Sequence, residues 1–148
     1  MIKLNITKAT PKDVDWLNDV IKREFPYTTF DPEKIIERMN NPKYVILIAK
    51  QANILVGFAE LELFLDKKEA RMNAVFVEDS WRGQRIGTTL VGKCINECKH
   101  KKVQRLFLLV KKDNKGAKHL YKDEGFNFVE MHDKIIDESE VEMWEIKV

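Results

Sequence analysis

A glycine-containing loop between a strand and a helix holds the residues best suited to bind an anion. Val75-Phe76-Val77 is typical of a strand end, and an amphipathic helix begins near Gly87. The loop between them ends in Arg82-Gly83-Gln84-Arg85-Ile86-Gly87-Thr88. Glycines let successive backbone N–H groups point at one place, and a helix N-terminus carries about half a positive charge. The pattern predicts a phosphate or pyrophosphate site, with a charged surface loop as the alternative.

A tyrosine on a later helix is the candidate proton donor. Tyr121 shares the apolar face of a predicted helix with Ala117 and Leu120. A positioned phenol can protonate a departing group, which contributes about 10²–10⁴-fold in rate. From the residues alone, a tyrosine packed in the core is the alternative interpretation.

Hydrophobic periodicity predicts the elements that must position these residues. The predicted strands are 2–7, 44–49, 54–65, 70–77, 103–110, 126–131 and 141–148, and the predicted helices are about 13–21, 32–39, 87–99 and 114–123. The second, third and fourth strands predict an antiparallel meander. The strand–helix–strand order that follows predicts a crossover with parallel pairing, and the last two strands predict a hairpin with a long polar tip.

Composition limits the class of protein. A chain of 148 residues with 44% hydrophobic and 34% charged residues fits one globular domain. The net charge of +2 and the short basic clusters argue against nucleic-acid binding, and no apolar run is long enough for a membrane span. Cys94 and Cys98, the only cysteines, fit small core residues in a reducing compartment, so we expect a cytoplasmic protein without a bound metal.

Two segments together resemble the GNAT acetyltransferase superfamily. Arg82-Gly83-Gln84-Arg85-Ile86-Gly87 is similar to its pyrophosphate signature Arg/Gln-x-x-Gly-x-Gly/Ala, with Arg85 in place of the first glycine. Asn114 to Phe126 is similar to its Asn-x-x-Ala-x-x-Leu-Tyr-x-x-x-Gly-Phe segment. Arg85 suits this loop if it adopts ordinary helix-start geometry, and weakens it if the position requires a positive φ.

The resemblance implies an α/β fold with a central mixed sheet of six to seven strands and about four helices. It also implies acetyl-CoA as cosubstrate and direct transfer of the acetyl group to a primary amine in a ternary complex. The residues it implies for acetyl-CoA binding are Val75, Phe76, Val77, Arg82, Gly83, Gln84, Arg85, Ile86, Gly87, Thr88, Asn114, Ala117 and Tyr121. Within this set, Tyr121 is the expected general acid.

The general base is less clearly marked. Arg71 and Leu109 occupy the positions at which two groups of relatives carry a glutamate. Glu60 and Glu62 remain as candidates that act through a water, with solvent-facing charges on an alternating strand as the alternative.

The acceptor is either a protein or peptide N-terminus or a small-molecule amine. Phe25-Pro26-Tyr27 resembles the loop that frames the acceptor in protein N-terminal acetyltransferases, and Ile135 could form an apolar wall, so Phe25, Tyr27 and Ile135 are the candidate substrate residues. Acidic residues from Asp133 to Glu142 could attract a cationic acceptor. A non-catalytic acyl-CoA-binding regulatory module is the alternative function, and the protein is expected to be a monomer or a homodimer.

Overall fold

The computed structural model describes residues 3–26, 31–136 and 138–148. Its strands are β1 (Leu4–Lys8), β2 (Tyr44–Gln51), β3 (Ile54–Phe64), β4 (Glu69–Val77), β5 (Arg105–Lys111), β6 (Asn127–Ile136) and β7 (Ser139–Lys147). Its helices are α1 (Val14–Glu24), α2 (Pro32–Met39), α3 (Ile86–His100) and α4 (Lys115–Asp123). The elements thus follow the predicted order along the chain.

The seven strands form one mixed sheet in the order β1-β2-β3-β4-β5-β7-β6. Neighbours from β1 to β4 are antiparallel, which confirms the predicted meander and adds β1 to it. Strands β4 and β5, which flank α3, are parallel, as the strand–helix–strand order predicted. The predicted α/β fold with a six- to seven-stranded mixed sheet and about four helices is confirmed.

Two cores lie on opposite faces of this sheet. On one face, the apolar side of α3 packs against β2 to β5, and residues of α4 pack against the edge of this core. On the other face, Val14, Leu17 and Val20 of α1 and Ile35 of α2 pack against Ile48 and its neighbours in the sheet. The apolar stripes of the helices therefore fix which sheet face each helix covers.

The two cysteines belong to the first core, as predicted. Cys94 and Cys98 are free thiols with no exposed surface. Burial raises the pKa of Cys94, and burial together with Glu97 raises the pKa of Cys98 to about 12, so both stay protonated at neutral pH. Within the described ranges, no group of three or more potential metal ligands comes together, and no helix is long and apolar enough to cross a bilayer.

The sheet opens between β4 and β5. Their parallel pairing runs only from Glu69 opposite Arg105 to Met72 opposite Leu108. Beyond that point β4 continues against β3 as far as Val77, and β5 continues against β7 as far as Lys111. One backbone edge of each strand is therefore left without a strand partner in the opening.

A bulge in β4 lies where the opening begins. Glu60 pairs with Ala74 and the next residue, Leu61, pairs with Met72, so Asn73 is the extra residue. A bulge changes which face the following side chains occupy. Met72 and Val75 accordingly contact the α3 face, whereas Ala74 and Phe76 contact the face covered by α1.

The closing hairpin differs from the prediction. A long polar tip after residue 131 was expected, but β6 extends to Ile136 and β7 begins at Ser139. Strand β6 lies at the edge of the sheet and most of its residues are exposed. Because such a strand faces solvent, polar side chains are compatible with it, and the prediction of a loop from polarity was wrong.

Two glycine substitutions test this packing. A Cβ on Gly57 would lie 2.6 Å from the Phe76 carbonyl oxygen of the paired strand, whereas a Cβ on Gly92, inside α3, would meet nothing within 4 Å. We expect Gly57→Ala to lower the free energy of unfolding by about 1–3 kcal/mol and Gly92→Ala to raise it by about 0.5–1 kcal/mol. Urea denaturation measures both; equal effects of the two substitutions would contradict the assigned close approach of β3 and β4.

Candidate active site

A cavity of about 640 Å³ lies between the end of β4, the loop before α3 and the start of α4. We call it the loop cavity. It is lined by Val75, Phe76, Val77, Trp81, Arg82, Gly83, Arg85, Ile86, Gly87, Thr88, Asn114, Gly116, Ala117 and Leu120. The tertiary fold thus brings together the two segments that the sequence marked, which are separated by about 30 residues along the chain.

The backbone of the loop is arranged to bind an anion. The first helical hydrogen bond of α3 runs from the Thr89 amide to the Arg85 carbonyl, at 3.0 Å. For the amides from Gly83 to Thr88, no acceptor is recorded within the described part of the chain. Free amides at the start of a helix of this length form a site for phosphate oxygens.

Arg85 does not adopt ordinary helix-start geometry. Its φ is 64° and its ψ is 20°, the left-handed conformation that glycine adopts with least strain. Gly83 nearby also has a positive φ, of 80°. Arg85 therefore meets the condition under which it weakens the loop, because it adopts the left-handed conformation at a cost of about 1–2 kcal/mol.

Arg82 braces the loop. Its Nε donates a hydrogen bond to the Val77 carbonyl at 3.0 Å, and its Nη1 lies 2.9 Å from a carboxylate oxygen of Asp79. Its guanidinium also lies 6.0 Å from the centroid of the Phe76 ring. These contacts tie the loop to the end of β4 and leave the side chain more than half exposed on the cavity wall.

Asn114 and three residues that the sequence analysis missed complete this cavity. The Asn114 side-chain oxygen accepts a hydrogen bond from the Ala117 amide at 3.1 Å and so caps α4. Trp81, Gly116 and Leu120 line the cavity but were not predicted as site residues. Each directly adjoins a predicted residue in the sequence, which was the available signal.

Tyr121 directly follows Leu120 in α4 but does not itself line the loop cavity. Its ring lies 5.7 Å from that of Phe126, and it contacts the first core. Burial, and secondarily the neighbouring Cys94 thiol, raise the pKa of Tyr121 to about 12. The phenol is therefore protonated throughout the neutral range, the form that a proton donor needs.

A second cavity, of about 380 Å³, lies on the opposite sheet face beneath α1 and α2. We call it the sheet-face cavity. Its lining is mixed: apolar residues from both helices, and a polar floor provided by β3 and β4. The residues that line it are Leu17, Ile21, Phe25, Ile35, Arg38, Ile46, Phe58, Glu60, Glu62, Arg71, Asn73, Ala74, Leu109, Lys134 and Ile136.

Both candidate bases line this cavity. Glu60 is only 7% exposed, and its Oε2 accepts hydrogen bonds from Arg38 at 2.7 Å and from Asn73 at 3.0 Å. Glu62 Oε1 accepts from Asn73 at 3.2 Å, and its Oε2 lies 3.3 Å from Lys43 Nζ. Each oxygen of Glu62 thus has a partner, whereas Oε1 of Glu60 has no partner among the described residues.

Of the three predicted substrate residues, two lie in the described part of the chain, and one of these lines the sheet-face cavity. Phe25 lines the sheet-face cavity and meets the Phe58 ring edge-on at 6.2 Å. Ile135 is 67% exposed, and its neighbour Ile136 lines the cavity instead, because consecutive strand residues alternate between faces. Tyr27 lies outside the described residues.

The strain at Arg85 can be measured by a pair of substitutions. Arg85→Gly should raise the free energy of unfolding by about 1 kcal/mol, because glycine adopts the left-handed conformation without a Cβ clash. Arg85→Ala removes the same charge but keeps the clash, so it should leave that free energy nearly unchanged. Chemical denaturation of the three proteins tests this; equal stability of the glycine and alanine variants would rule out the backbone strain.

Sequence comparison finds relatives that are described as N-acetyltransferases. A Haemophilus influenzae ribosomal protein bS18-alanine N-acetyltransferase is 35% identical over 89 residues, which cover 60% of this chain and 59% of the relative. A Bacillus subtilis protein provisionally described with the same activity is 26% identical over 114 residues, covering 77% of this chain and 74% of the relative.

Structural and family comparisons extend over more of the chain. An N-acetyltransferase of Thermoplasma acidophilum, PaiA, solved in complex with coenzyme A, superposes with a TM-score of 0.81 at 18% identity, covering 99% of this chain and 100% of that one. The model of the acetyltransferase (GNAT) family matches residues 14–126, well over half of the chain. The chain therefore belongs to the GNAT family of acetyltransferases.

Proposed function

We propose that this protein transfers an acetyl group from acetyl-CoA to a primary amine by direct attack in a ternary complex. The donor occupies the loop cavity and the acceptor amine occupies the sheet-face cavity. The observation that carries the proposal is the opening between β4 and β5, because both cavities reach it. Ala74 and Leu109, beyond the last paired residues of the two strands, line the sheet-face cavity, and Val75 and Val77 line the loop cavity.

The loop cavity fits acetyl-CoA. The free amides from Gly83 to Thr88 suit the pyrophosphate, and Arg85 adds a positive charge beside them. The edge of β4 that has no strand partner, up to Phe76 and Val77, suits the amide-containing pantetheine arm, which can pair with it as an added strand does, although Arg82 already binds the Val77 carbonyl. When bound, acetyl-CoA supplies an acetyl group on a thioester that an amine can attack.

Glu60 is the better of the two candidate proton acceptors. Ala74, its partner in the register, lies at the opening, and its Oε1 has no recorded partner in the described chain. An ammonium must lose a proton before it attacks a carbonyl carbon. We assign that proton to Glu60 Oε1, through a water, while Arg38 and Asn73 hold the carboxylate in place through Oε2.

Tyr121 is the proton donor in this proposal. Tyr121 would donate its phenolic proton to the sulfur as the bond between the acetyl carbon and sulfur breaks, so that CoA leaves as a thiol, and the proton that the acetylated nitrogen loses would restore the phenol. The raised pKa of Tyr121 keeps its proton available at neutral pH. The resemblance of Asn114 to Phe126 to the family segment, rather than a measured distance, supports its position near the sulfur.

An α-amine is the favoured acceptor. Two relatives are described as acting on the alanine of a ribosomal protein. The sheet-face cavity has an apolar wall from α1 and α2 that suits the first residue of a peptide, and an amino acid would use the same groups. Membership of an acetyltransferase family and a buried carboxylate at the opening favour this enzyme over a non-catalytic acyl-CoA-binding module.

Calorimetry and kinetics on Tyr121→Phe test the donor site and the acid together. We expect the wild type to bind acetyl-CoA and CoA but not ATP, and the variant to bind acetyl-CoA with nearly the same Kd. Its kcat should fall by about 10²–10⁴-fold, because only the proton donor is lost. Absence of acetyl-CoA binding would refute the donor site, and a kcat within twofold of the wild type would refute the assigned role of Tyr121.

The carboxylates can be separated by Glu60→Gln and Glu62→Gln. The first should lower kcat by about 10²–10⁴-fold and should recover activity as the pH approaches the pKa of the acceptor amine, since free amine then no longer needs a base. The second, its matched control, should change kcat by only a few fold. Thermal unfolding verifies that each variant is folded, and a reversed ranking of the two kcat values would transfer the role to Glu62.

A further inference from the structure

The sheet-face cavity contains more positive than negative side chains. Its carboxylates are Glu60 and Glu62, and its cations are Arg38, Arg71 and Lys134. A charge at the wall of a partly buried cavity must be compensated either by the protein or by what binds there. The way in which these five groups are paired therefore indicates which charge the acceptor carries.

The two carboxylates already have partners. Arg38 binds Glu60 at 2.7 Å, and Lys43, just outside the cavity lining, lies 3.3 Å from Glu62. The Asn73 amide donates to both carboxylates. Neither of these ion pairs involves Arg71 or Lys134.

Arg71 is one of two cations of this cavity that have no ion-pair partner among the described residues. It lies directly opposite Glu62 in the β3–β4 register, yet the described chain contains no ion pair or hydrogen bond of its guanidinium. Its Nε is buried and has no hydrogen-bond partner among the residues that the structure describes. A buried donor without a partner is uncommon in folded proteins and points to a group that is supplied by a ligand.

Lys134 reaches the same cavity from a different element. It belongs to β6, it is exposed, and its ammonium has no recorded partner among the described residues. By contrast, two of the acidic residues near the hairpin are paired: Glu140 with Lys112 at 3.3 Å and Glu142 with Lys118 at 3.4 Å. These ion pairs weaken the earlier expectation that the acidic residues attract a cationic acceptor.

We propose that the acceptor amine carries a carboxylate, which Arg71 binds with help from Lys134. The proposal rests on the proposed function and adds the charge class of the acceptor. An arginine fork is suited to a carboxylate because two parallel N–H donors match its two oxygens. Arg71 precedes Ala74, at the opening, by three residues, so the Cα atoms of the two residues lie within about 10 Å of each other.

Two kinds of acceptor have this chemistry. A free amino acid carries its carboxylate next to the amine, and a peptide N-terminus carries one when an acidic residue follows the first. We therefore use two matched acceptor pairs with the intact protein and acetyl-CoA: alanine against alaninamide, and Ala-Glu-amide against Ala-Gln-amide. Mass spectrometry of the acetylated products in a competition mixture gives the ratio of kcat/KM values within each pair.

We expect the carboxylate-bearing member to be favoured at least about tenfold in one pair or both, mainly through KM. A preference within the alanine pair identifies a free amino acid as the acceptor, and a preference within the dipeptide pair identifies a peptide. Arg71→Gln should reduce the preference to nearly one, and Arg71→Lys, which keeps the charge without the fork, should retain part of it. Lys93→Gln, on the exposed surface of α3, removes one positive charge outside both cavities and should keep the full preference.

Four results would overturn the proposal. For the wild type, a ratio of kcat/KM values within about threefold of one in both pairs overturns it, whether or not the variants fold. A preference that is unchanged in Arg71→Gln would exclude Arg71 as the cause. If acetyl-CoA binds but none of the acceptors is acetylated, the proposed function fails along with this inference, whereas acetylation of the neutral acceptors alone overturns only the inference.

Discussion

The loss of pairing between β4 and β5 is the constraint on which the rest of this structure depends. The two strands are held together over four residue pairs and then separate, each kept extended by its other neighbour. Unpaired backbone groups inside a sheet are unfavourable unless something satisfies them. The opening therefore combines a free strand edge with access from both faces of the sheet, which a continuous sheet would not allow.

The bulge at Asn73 sets the chemistry beside that opening. An extra residue in β4 changes which side chains face α1, and it brings the Asn73 amide within hydrogen-bonding distance of both Glu60 and Glu62. Arg38, from α2, completes the arrangement through an ion pair with Glu60. A carboxylate that is only 7% exposed is thus kept in place by groups from two other elements, as a buried charge requires.

The loop before α3 holds one residue in a left-handed backbone conformation, which lowers local stability. Arg85 occupies a left-handed conformation, and its own carbonyl still accepts the first hydrogen bond of the helix. Such strain persists where the surrounding structure enforces it, and in the same loop Arg82 is held by contacts with Asp79 and Val77. The amides from Gly83 to Thr88 remain without an acceptor among the described residues although residue 85 is not glycine.

The sequence by itself determined the order of the elements, the helix starts at Asp31 and Asn114, and the two segments that line the loop cavity, because periodicity, caps and glycine spacing are local properties. It did not determine the length of β6, because an edge strand tolerates the polar residues that favoured a loop, or the conformation of Arg85, whose residue type favours ordinary helix-start geometry. The partners of Glu60, the choice of Ile136 over Ile135 and the unpartnered Nε of Arg71 were decided only by the tertiary structure. The physical reason is that strand register, a bulge and helix packing set which side chains meet, and none of these is encoded in a single segment.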